Sequence, residues 1–352
     1  MKKDILIVGQ GICGTFLAWE LEKASISFLI LDEARPLSAS RIAAGLINPV
    51  TGRRLVKTWM ADELIPFARD AYTRLSEVLG IPNIREMEMN YFFPNPQMRQ
   101  AFLDRLEEKA EFLQACQDDG SWDSLLKHDF GYGKISPCYL VDLPELLSRA
   151  RKRWIEMGLL QEIRFESSRL QLGEKGVSFE DVQAGRIIFC DGMSGFHSPY
   201  FKNLPFAPNK GEALILEIPG LPKEKLYKTG FLLLPWRDGL FWAGSSYQWS
   251  FENDEPSAAF RDAMLGALRV CLRVPFALAG HVAGIRPATL ERRPFLGFHP
   301  SAPQIGIFNG MGTKGCSLAP YFARQWADHL GIGKNLPAEV DIKRFSGVLN
   351  RS

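Results

Sequence analysis

Three glycines spaced as Gly9-Gln10-Gly11-Ile12-Cys13-Gly14 let a main chain wrap around a pyrophosphate. Gly9 provides the tight turn, Gly11 lets the backbone approach the phosphates, and Gly14 lets the following helix pack close to its strand. Amides at that helix start, those of Ile12 and Cys13 among them, add the positive end of a helix dipole. A carboxylate at Asp32 is placed to accept from a ribose 2′-hydroxyl, which disfavours a 2′-phosphorylated cofactor. Metal chemistry has little to work with: there are five histidines, and six cysteines (13, 116, 138, 190, 271 and 316) lie scattered without a CxxC pair or a histidine at ligand spacing. No metal site is expected.

The elements that must position these residues are legible around them. Ile5-Leu6-Ile7-Val8 is an apolar strand, Thr15 to Lys23 a helix whose Phe16, Leu17 and Leu21 cover the sheet, and Phe28-Leu29-Ile30-Leu31 a second strand ending at Asp32. The glycine pattern therefore sits in a complete βαβ unit. Helices are expected over 62–81 and 97–115, from Val141 to Met157 behind Asp142 and Pro144, and from Ser257 to Leu272 with Ser257 as cap. Strands are expected over 169–172, 177–179 and 186–190, the last running into Asp191-Gly192. Ala213 to Glu217, Phe231 to Pro235 and Gly239 to Gly244 predict an antiparallel sheet with a hairpin. Ile305 to Phe308 is a strand that leads through a glycine-rich turn to a helix over Ser317 to Leu330.

The 352 residues are enough for two domains, and 46% hydrophobic with 23% charged residues is ordinary globular composition. A net charge of +2 is too small to suggest a nucleic-acid or acidic-membrane partner by itself. No apolar run approaches the ~20 residues of a membrane span. Lys2-Lys3 precedes only four apolar residues before the glycine turn, which reads as a first strand rather than a leader, so a cytoplasmic protein with reduced thiols is expected. No linker divides the chain, so the domains are expected to interleave.

The C-terminal third carries a resemblance. Gly284-Ile285-Arg286-Pro287-Ala288-Thr289, Pro294-Phe295-Leu296-Gly297, Asn309-Gly310-Met311-Gly312-Thr313-Lys314-Gly315 and Ala319-Pro320 resemble the closing signature of the D-amino-acid-oxidase-like flavoproteins. Ser38 to Leu46, with Ala44-Gly45, resembles the loop after the first acidic residue in the glycine oxidase family. Gly192 stands where that family closes a glycine on FAD, and Lys210-Gly211-Glu212 resembles the entry to its substrate-domain sheet. The resemblance implies an α/β fold: a Rossmann-like FAD-binding domain (1–85, 138–205 and 280–352) roofed by a second, mostly antiparallel β-sheet substrate domain (86–137 and 206–279). It implies FAD held by Gly9, Gly11, Ile12, Cys13, Gly14, Asp32, Ala44, Gly45, Gly192, Gly310, Gly312, Thr313, Lys314 and Gly315. The helix opening at Gly315, with Lys314, would stabilise negative charge on the reduced ring.

The same resemblance assigns Arg286 to a substrate carboxylate, since a planar guanidinium grips one bidentately. An ion pair between Arg286 and Glu291 is the structural alternative. Leu232 replaces a tyrosine of the family's carboxylate clamp, and Tyr247, expected on a neighbouring strand, is a candidate substitute. No histidine stands in the loop at 42–45, and Cys316 lies past the glycine turn, so covalent flavin attachment is not expected; Cys316 beside Lys314 at a helix start has a possible lowered thiol pKa. The expected function is oxidation of the C–N bond of a small, glycine-like amine by hydride transfer to flavin N5, with reoxidation by O2 or another acceptor. Gly312 to Pro320 also resembles the flavin half of the bifunctional wobble-uridine tRNA modification enzyme, and Arg35, Arg41, Arg53, Arg54 and Lys57 in a stretch without acids offer a rim for RNA phosphates. A modified tRNA base is therefore one alternative substrate, and a non-catalytic flavin-binding protein is another. A small-molecule amine is preferred over nucleic acid because the chain is nearly neutral.

Overall fold

The computed structural model describes residues 1–117, 119–174 and 176–350. In chain order, β1 (Lys2–Val8), α1 (Ile12–Lys23) and β2 (Phe28–Leu31) form the expected βαβ unit. β3 (Leu46–Ile47), α2 (Ala61–Leu79), β4 (Ile84–Phe92), α3 (Pro96–Glu107), β5 (Leu113–Ala115), β6 (Tyr132–Val141) and α4 (Leu143–Glu156) follow. Then come β7 (Leu160–Gln161), β8 (Gln171–Gly173), β9 (Gly176–Phe179) and β10 (Val182–Phe189). The remainder contains β11 (Asn209–Glu217), β12 (Lys225–Lys228), β13 (Leu232–Pro235), β14 (Phe241–Gly244), α5 (Ala258–Cys271), β15 (Ala277–Arg286), β16 (Phe295–His299), β17 (Ala302–Asn309) and α6 (Gly315–Ile332).

Two sheets result. In the first, β17, β10, β1, β2 and β7 run parallel in that order, with β16 antiparallel beyond β17 and β8–β9 antiparallel to the start of β10. The chain leaves β1 toward β2 on one side and later returns to β10 on the other. That reversal splays the connections apart at the carboxyl end of β1, where open α/β sheets bind ligands. The second sheet has the order β15-β11-β14-β13-β12-β4-β6-β3, with β5 also on β6, and is antiparallel except where β12 meets β4. It takes Leu46–Ile47 from early in the chain and ends at Arg286, so it draws strands from both sides of positions 85, 138 and 280.

Local chemistry explains the main elements. Every residue of α1 from Ile12 to Leu21 is buried, because this helix lies between the first sheet and helices α2 and α6. Asp142 caps α4 by accepting from the Glu145 amide at 3.1 Å, and Ser257 caps α5 by accepting from Phe260 at 3.3 Å. The expected helix over 97–115 stops at Glu107, and Leu113–Ala115 instead pairs with β6. Lys109 takes a positive φ of 56°, which ends the helix before Leu113 is drawn into the sheet's core. In the second sheet the side chains alternate. Leu226, Leu234, Trp242 and Ala213 face inward with Met89 and Tyr91, while Tyr227, Leu233, Phe241 and Leu214 pack beneath α5.

Candidate active site

A cavity of about 660 Å³ opens between the sheets. The carboxyl ends of β1 and β2, the start of α1, the loop 37–46, Cys190 to Ser194 and the turn into α6 form one side of it. The inner face of the second sheet, with Ala213, Leu232, Trp242, Val282 and Arg286, forms the other. Of the residues singled out in the sequence, Gly9, Gly11, Ile12, Cys13, Asp32, Ala44, Gly45, Gly192, Arg286, Gly312, Thr313, Lys314 and Gly315 all line it.

Gly14 and Gly310 do not line this wall. Gly14 works one layer behind: a Cβ there would stand 1.9 Å from the Gly9 carbonyl oxygen, so only glycine lets α1 approach the turn. Gly310 has φ +82° and its α-carbon faces Thr289 and Phe295, so it shapes the turn from behind.

The nucleotide end is built by short-range hydrogen bonds. Gln10 is buried, and its amide side chain donates to Thr15 Oγ1 at 3.1 Å and to the Leu147 carbonyl at 3.0 Å. Ile12 N donates to Ser40 Oγ at 3.1 Å, while the amides of Cys13 and Gly14 have no acceptor among the described residues. Asp32 is already engaged: Oδ2 accepts from Gln10 N at 2.8 Å, and Oδ1 accepts from Ala34 N at 2.8 Å and from Arg151 Nη1 at 2.6 Å. A carboxylate offers about four lone-pair sites, so one acceptor position stays open toward the cavity. Arg151 carried no signal in the sequence, since Arg149, Arg151 and Arg153 look alike on a charged helix. The fold separates them: Arg149 pairs with Glu145 and Arg153 with Glu22, whereas Arg151 is buried against Asp32 and Glu162.

At the other end, Asn309 donates to Asp191 Oδ1 at 3.2 Å and to the Gly192 carbonyl at 2.8 Å, and accepts from Gly310 N at 2.8 Å. This ties the loop after β10 to the turn that opens α6. Burial pushes the Asp191 carboxyl up to about 7. The amides of Gly315 and Cys316 have no acceptor among the described residues, so a second helix start faces the cavity alongside α1. Lys314 Nζ meets only the Asn48 carbonyl, at 3.4 Å, and burial lowers the ammonium to about 8. Cys316 is not activated, because burial outweighs the neighbouring Lys314 and pushes its thiol up to about 12.

Arg286 does not pair with Glu291, which is held by Arg344 at 3.1 Å. Its Nη1 donates to Asn209 Oδ1 at 2.6 Å and its Nη2 to Ser245 Oγ at 2.8 Å, with the Ser246 carbonyl 3.4 Å from both. The guanidinium lies flat over Gly211, where a Cβ would come within 1.8 Å of Nη2. Tyr247 is on a loop rather than a neighbouring strand. Its ring is 51% exposed and 5.6 Å from the Arg286 guanidinium carbon, so it shields the arginine from outside. Arg286 and Lys314 form no ion pair among the described residues. Of the lining acids, Asp32 is turned to Arg151, Glu33 to Arg35, Glu212 to Ser257 and Asp191 to Asn309, and the exposed Asp254 makes no ion pair with Arg286 or Lys314 among the described residues. The basic rim is also partly neutralised, with Arg35 on Glu33 and Lys57 on Asp62 and Glu111.

A family model described as FAD dependent oxidoreductase matches residues 4–329. The chain belongs to this family. Its cofactor is FAD, and the two helix starts, the glycine turns and the open acceptor position on Asp32 fit a dinucleotide carrying a flat ring. Glycine oxidase of Pseudomonas aeruginosa is 22% identical over 351 residues, covering 93% of this chain and 94% of the relative. The bifunctional protein ThiO/ThiG of Trichormus variabilis is 23% identical across 96% of this chain, which spans about half (54%) of that protein's length. The crystal structure of glycine oxidase from Geobacillus kaustophilus superposes with a TM-score of 0.81, at 18% identity and 98% coverage of both chains, and shares the fold. No helix among the described residues is long and apolar enough to cross a membrane.

Proposed function

We propose that this flavoenzyme oxidises the C–N bond of a small amine that carries a carboxylate, a glycine-like amino acid. The observation that carries the reading is Arg286: a cavity-lining guanidinium held in place by neutral acceptors, with no carboxylate paired to it among the described residues. A substrate carboxylate supplies that balance and fixes the amine in one orientation.

The residues proposed to hold FAD are those of the two helix starts and glycine turns, with Asp32 and the loop at Ala44-Gly45. FAD, when bound, would accept a hydride from the carbon beside the nitrogen, leaving an iminium ion that water hydrolyses to a carbonyl and the free amine or ammonia. The cations have a further effect on the reacting group. Arg286 and Lys314 disfavour a third positive charge nearby, so the amine binds in its neutral form, the form able to release its electrons. No general base is then required.

The test is anaerobic flavin reduction by glycine and N-substituted glycines in wild type and in Arg286→Lys. Lysine keeps the charge and loses the planar fork. Loss of one charge-assisted hydrogen bond, ~1.5–3 kcal/mol, corresponds to about tenfold or more in the substrate concentration needed for half-maximal reduction. FAD content should not change. Equal rates and equal saturation in the two proteins would make Arg286 a structural residue and remove the carboxylate from the reading.

A further inference from the structure

The basic stretch from Arg35 to Lys57 sends one cation inward. Arg53 and Arg54 are exposed, Arg35 pairs with Glu33, and Lys57 pairs with Asp62 and Glu111. Arg41 instead is half-buried and lines the cavity. Its Nη2 donates to Gln10 Oε1, at 3.4 Å, and it makes no ion pair among the described residues. The acids at this end of the cavity are committed to other arginines, Asp32 to Arg151 and Glu33 to Arg35.

The neighbours of Arg41 in the chain fix where it stands. Ser40 Oγ accepts from Ile12 N at 3.1 Å, and a Cβ on Gly11 would stand 3.2 Å from that oxygen, so the segment lies against the first turn of α1. On its other side the Ile42 carbonyl accepts from Trp242 Nε1 at 3.3 Å. Gly284 of β15 leaves room for the Ile42 side chain, since a Cβ there would come within 2.4 Å of Ile42 Cδ1. Arg41 is thus carried on a single helical turn, Ala39–Ile42, wedged between the glycine turn and the second sheet. That anchoring on both sides spares the guanidinium part of the entropy cost of being held in one place.

Each phosphate of a dinucleotide carries a negative charge, whereas the start of α1 offers roughly half a positive one. The helix start therefore leaves most of the charge of a bound diphosphate unbalanced, in a cavity where charges interact more strongly than in water. A guanidinium is suited to the remainder, because its planar N–H donors reach two phosphate oxygens at once.

We propose that Arg41 is the counter-ion of the FAD diphosphate, held beside the start of α1 by the contacts of Ser40 and Ile42 on either side of it. The inference rests on the cofactor alone and is independent of the amine and the carboxylate proposed above. It also separates two arginines at the nucleotide end: Arg151 serves Asp32 and so the ribose, and Arg41 serves the phosphates.

The experiment uses the full-length apoprotein and three probes that share adenosine but differ in phosphate. FAD is titrated calorimetrically, and ADP and adenosine are titrated as competitors of FAD, followed by flavin fluorescence. Arg41→Met should weaken FAD and ADP at least tenfold, the loss of one charge-assisted contact, and leave adenosine unchanged. Arg41→Lys, which keeps the charge without the planar fork, should fall between wild type and Arg41→Met. The unfolding temperatures of the apoproteins confirm that each variant is folded. FAD and ADP affinities that survive Arg41→Met overturn the proposal. Adenosine weakened as much as ADP overturns it as well, since the arginine would then act on the nucleoside or on the shape of the turn. So does an Arg41→Lys variant no better than Arg41→Met, because charge would then not be what the site uses.

Discussion

Asp32 carries more than the sequence indicated. Its position at the end of β2 points to a ribose, yet its carboxylate also neutralises Arg151, a buried arginine on α4. Removing the carboxylate therefore has two separable effects. Asp32→Ala should weaken FAD about ten- to a hundredfold, through a charge-assisted hydrogen bond of ~1.5–3 kcal/mol. It should also destabilise the apoprotein, because Arg151 then keeps neutral acceptors (the carbonyl of residue 32 and Gln10) but, among the described residues, only the more exposed carboxylate of Glu162. Asp32→Asn keeps an acceptor for the ribose and loses the charge, so it should retain more FAD than Asp32→Ala while still lowering the unfolding temperature. Isothermal titration of the apoproteins with FAD, alongside thermal unfolding without it, separates the two roles. An unchanged FAD dissociation constant in both variants would remove Asp32 from the cofactor site. Arg286 shows the same dependence on its neighbours: Asn209, Ser245 and Gly211 set its posture, and of these only Gly211 lies in a motif legible in the sequence.

Among the elements, legibility followed periodicity and glycine. β1, α1 and β2 could be read because a fully apolar strand, a glycine turn and a helix occur within thirty residues, with no distant contact needed to define them. The α6 start and the strand before it could be read for the same reason. β4, β6 and β15 were missed. β6 and β15 alternate poorly, since β6 contains Pro137 and β15 is rich in glycine and alanine; β4 does alternate over Met87 to Tyr91, but that run is short and follows the charged Arg85-Glu86, and all three strands owe their conformation to pairing with strands far away in sequence. Asp191 illustrates a property that only the assembled elements create. The ends of β10 and β17 are joined by Asn309, and the enclosed Asp191 carboxyl rises from 3.8 to about 7. An acid raised on folding stabilises the fold fully below its unfolded value, and that contribution is lost as pH climbs from about 4 through 7. At ~1.36 kcal/mol per pH unit the ceiling is on the order of 4 kcal/mol, reduced because the carboxyl lines a cavity that water can enter. Apo Asp191→Asn should accordingly melt higher than the apo wild type at pH 8 and show no such gain near pH 4. A constant difference across that range would mean that Asp191 is ionised in the native apoprotein as it is in the unfolded one.

For the molecule as a whole, the cavity is the place where the two sheets meet, and its walls come from segments as distant as Gly9 and Cys316. The apolar contacts elsewhere are segregated, with one core on each face of the first sheet and two more across the second. A ligand touching both walls adds to the link that the chain itself makes where Ile47, Tyr139 and Val141 of the second sheet join the core on the first. Binding to the native state only stabilises it by RT ln(1 + [L]/Kd), about 2.7 kcal/mol at a hundredfold excess over Kd. For a chain of this size that corresponds to a rise in unfolding temperature of about 4 °C. Stripping FAD should lower the midpoint by at least that much, and adding it back should raise the midpoint further with each increase in free FAD. The loss of protection should be shared across the cavity. Amide hydrogen exchange in the apoprotein should quicken at Gly11 to Gly14 and at Gly312 to Cys316, which supply the two helix starts, and less on the outer face of the second sheet beneath α5, around Leu214 and Phe241. An apoprotein with the same midpoint as the loaded enzyme, or with faster exchange at only one of the two helix starts, would show that the cofactor does not bridge them.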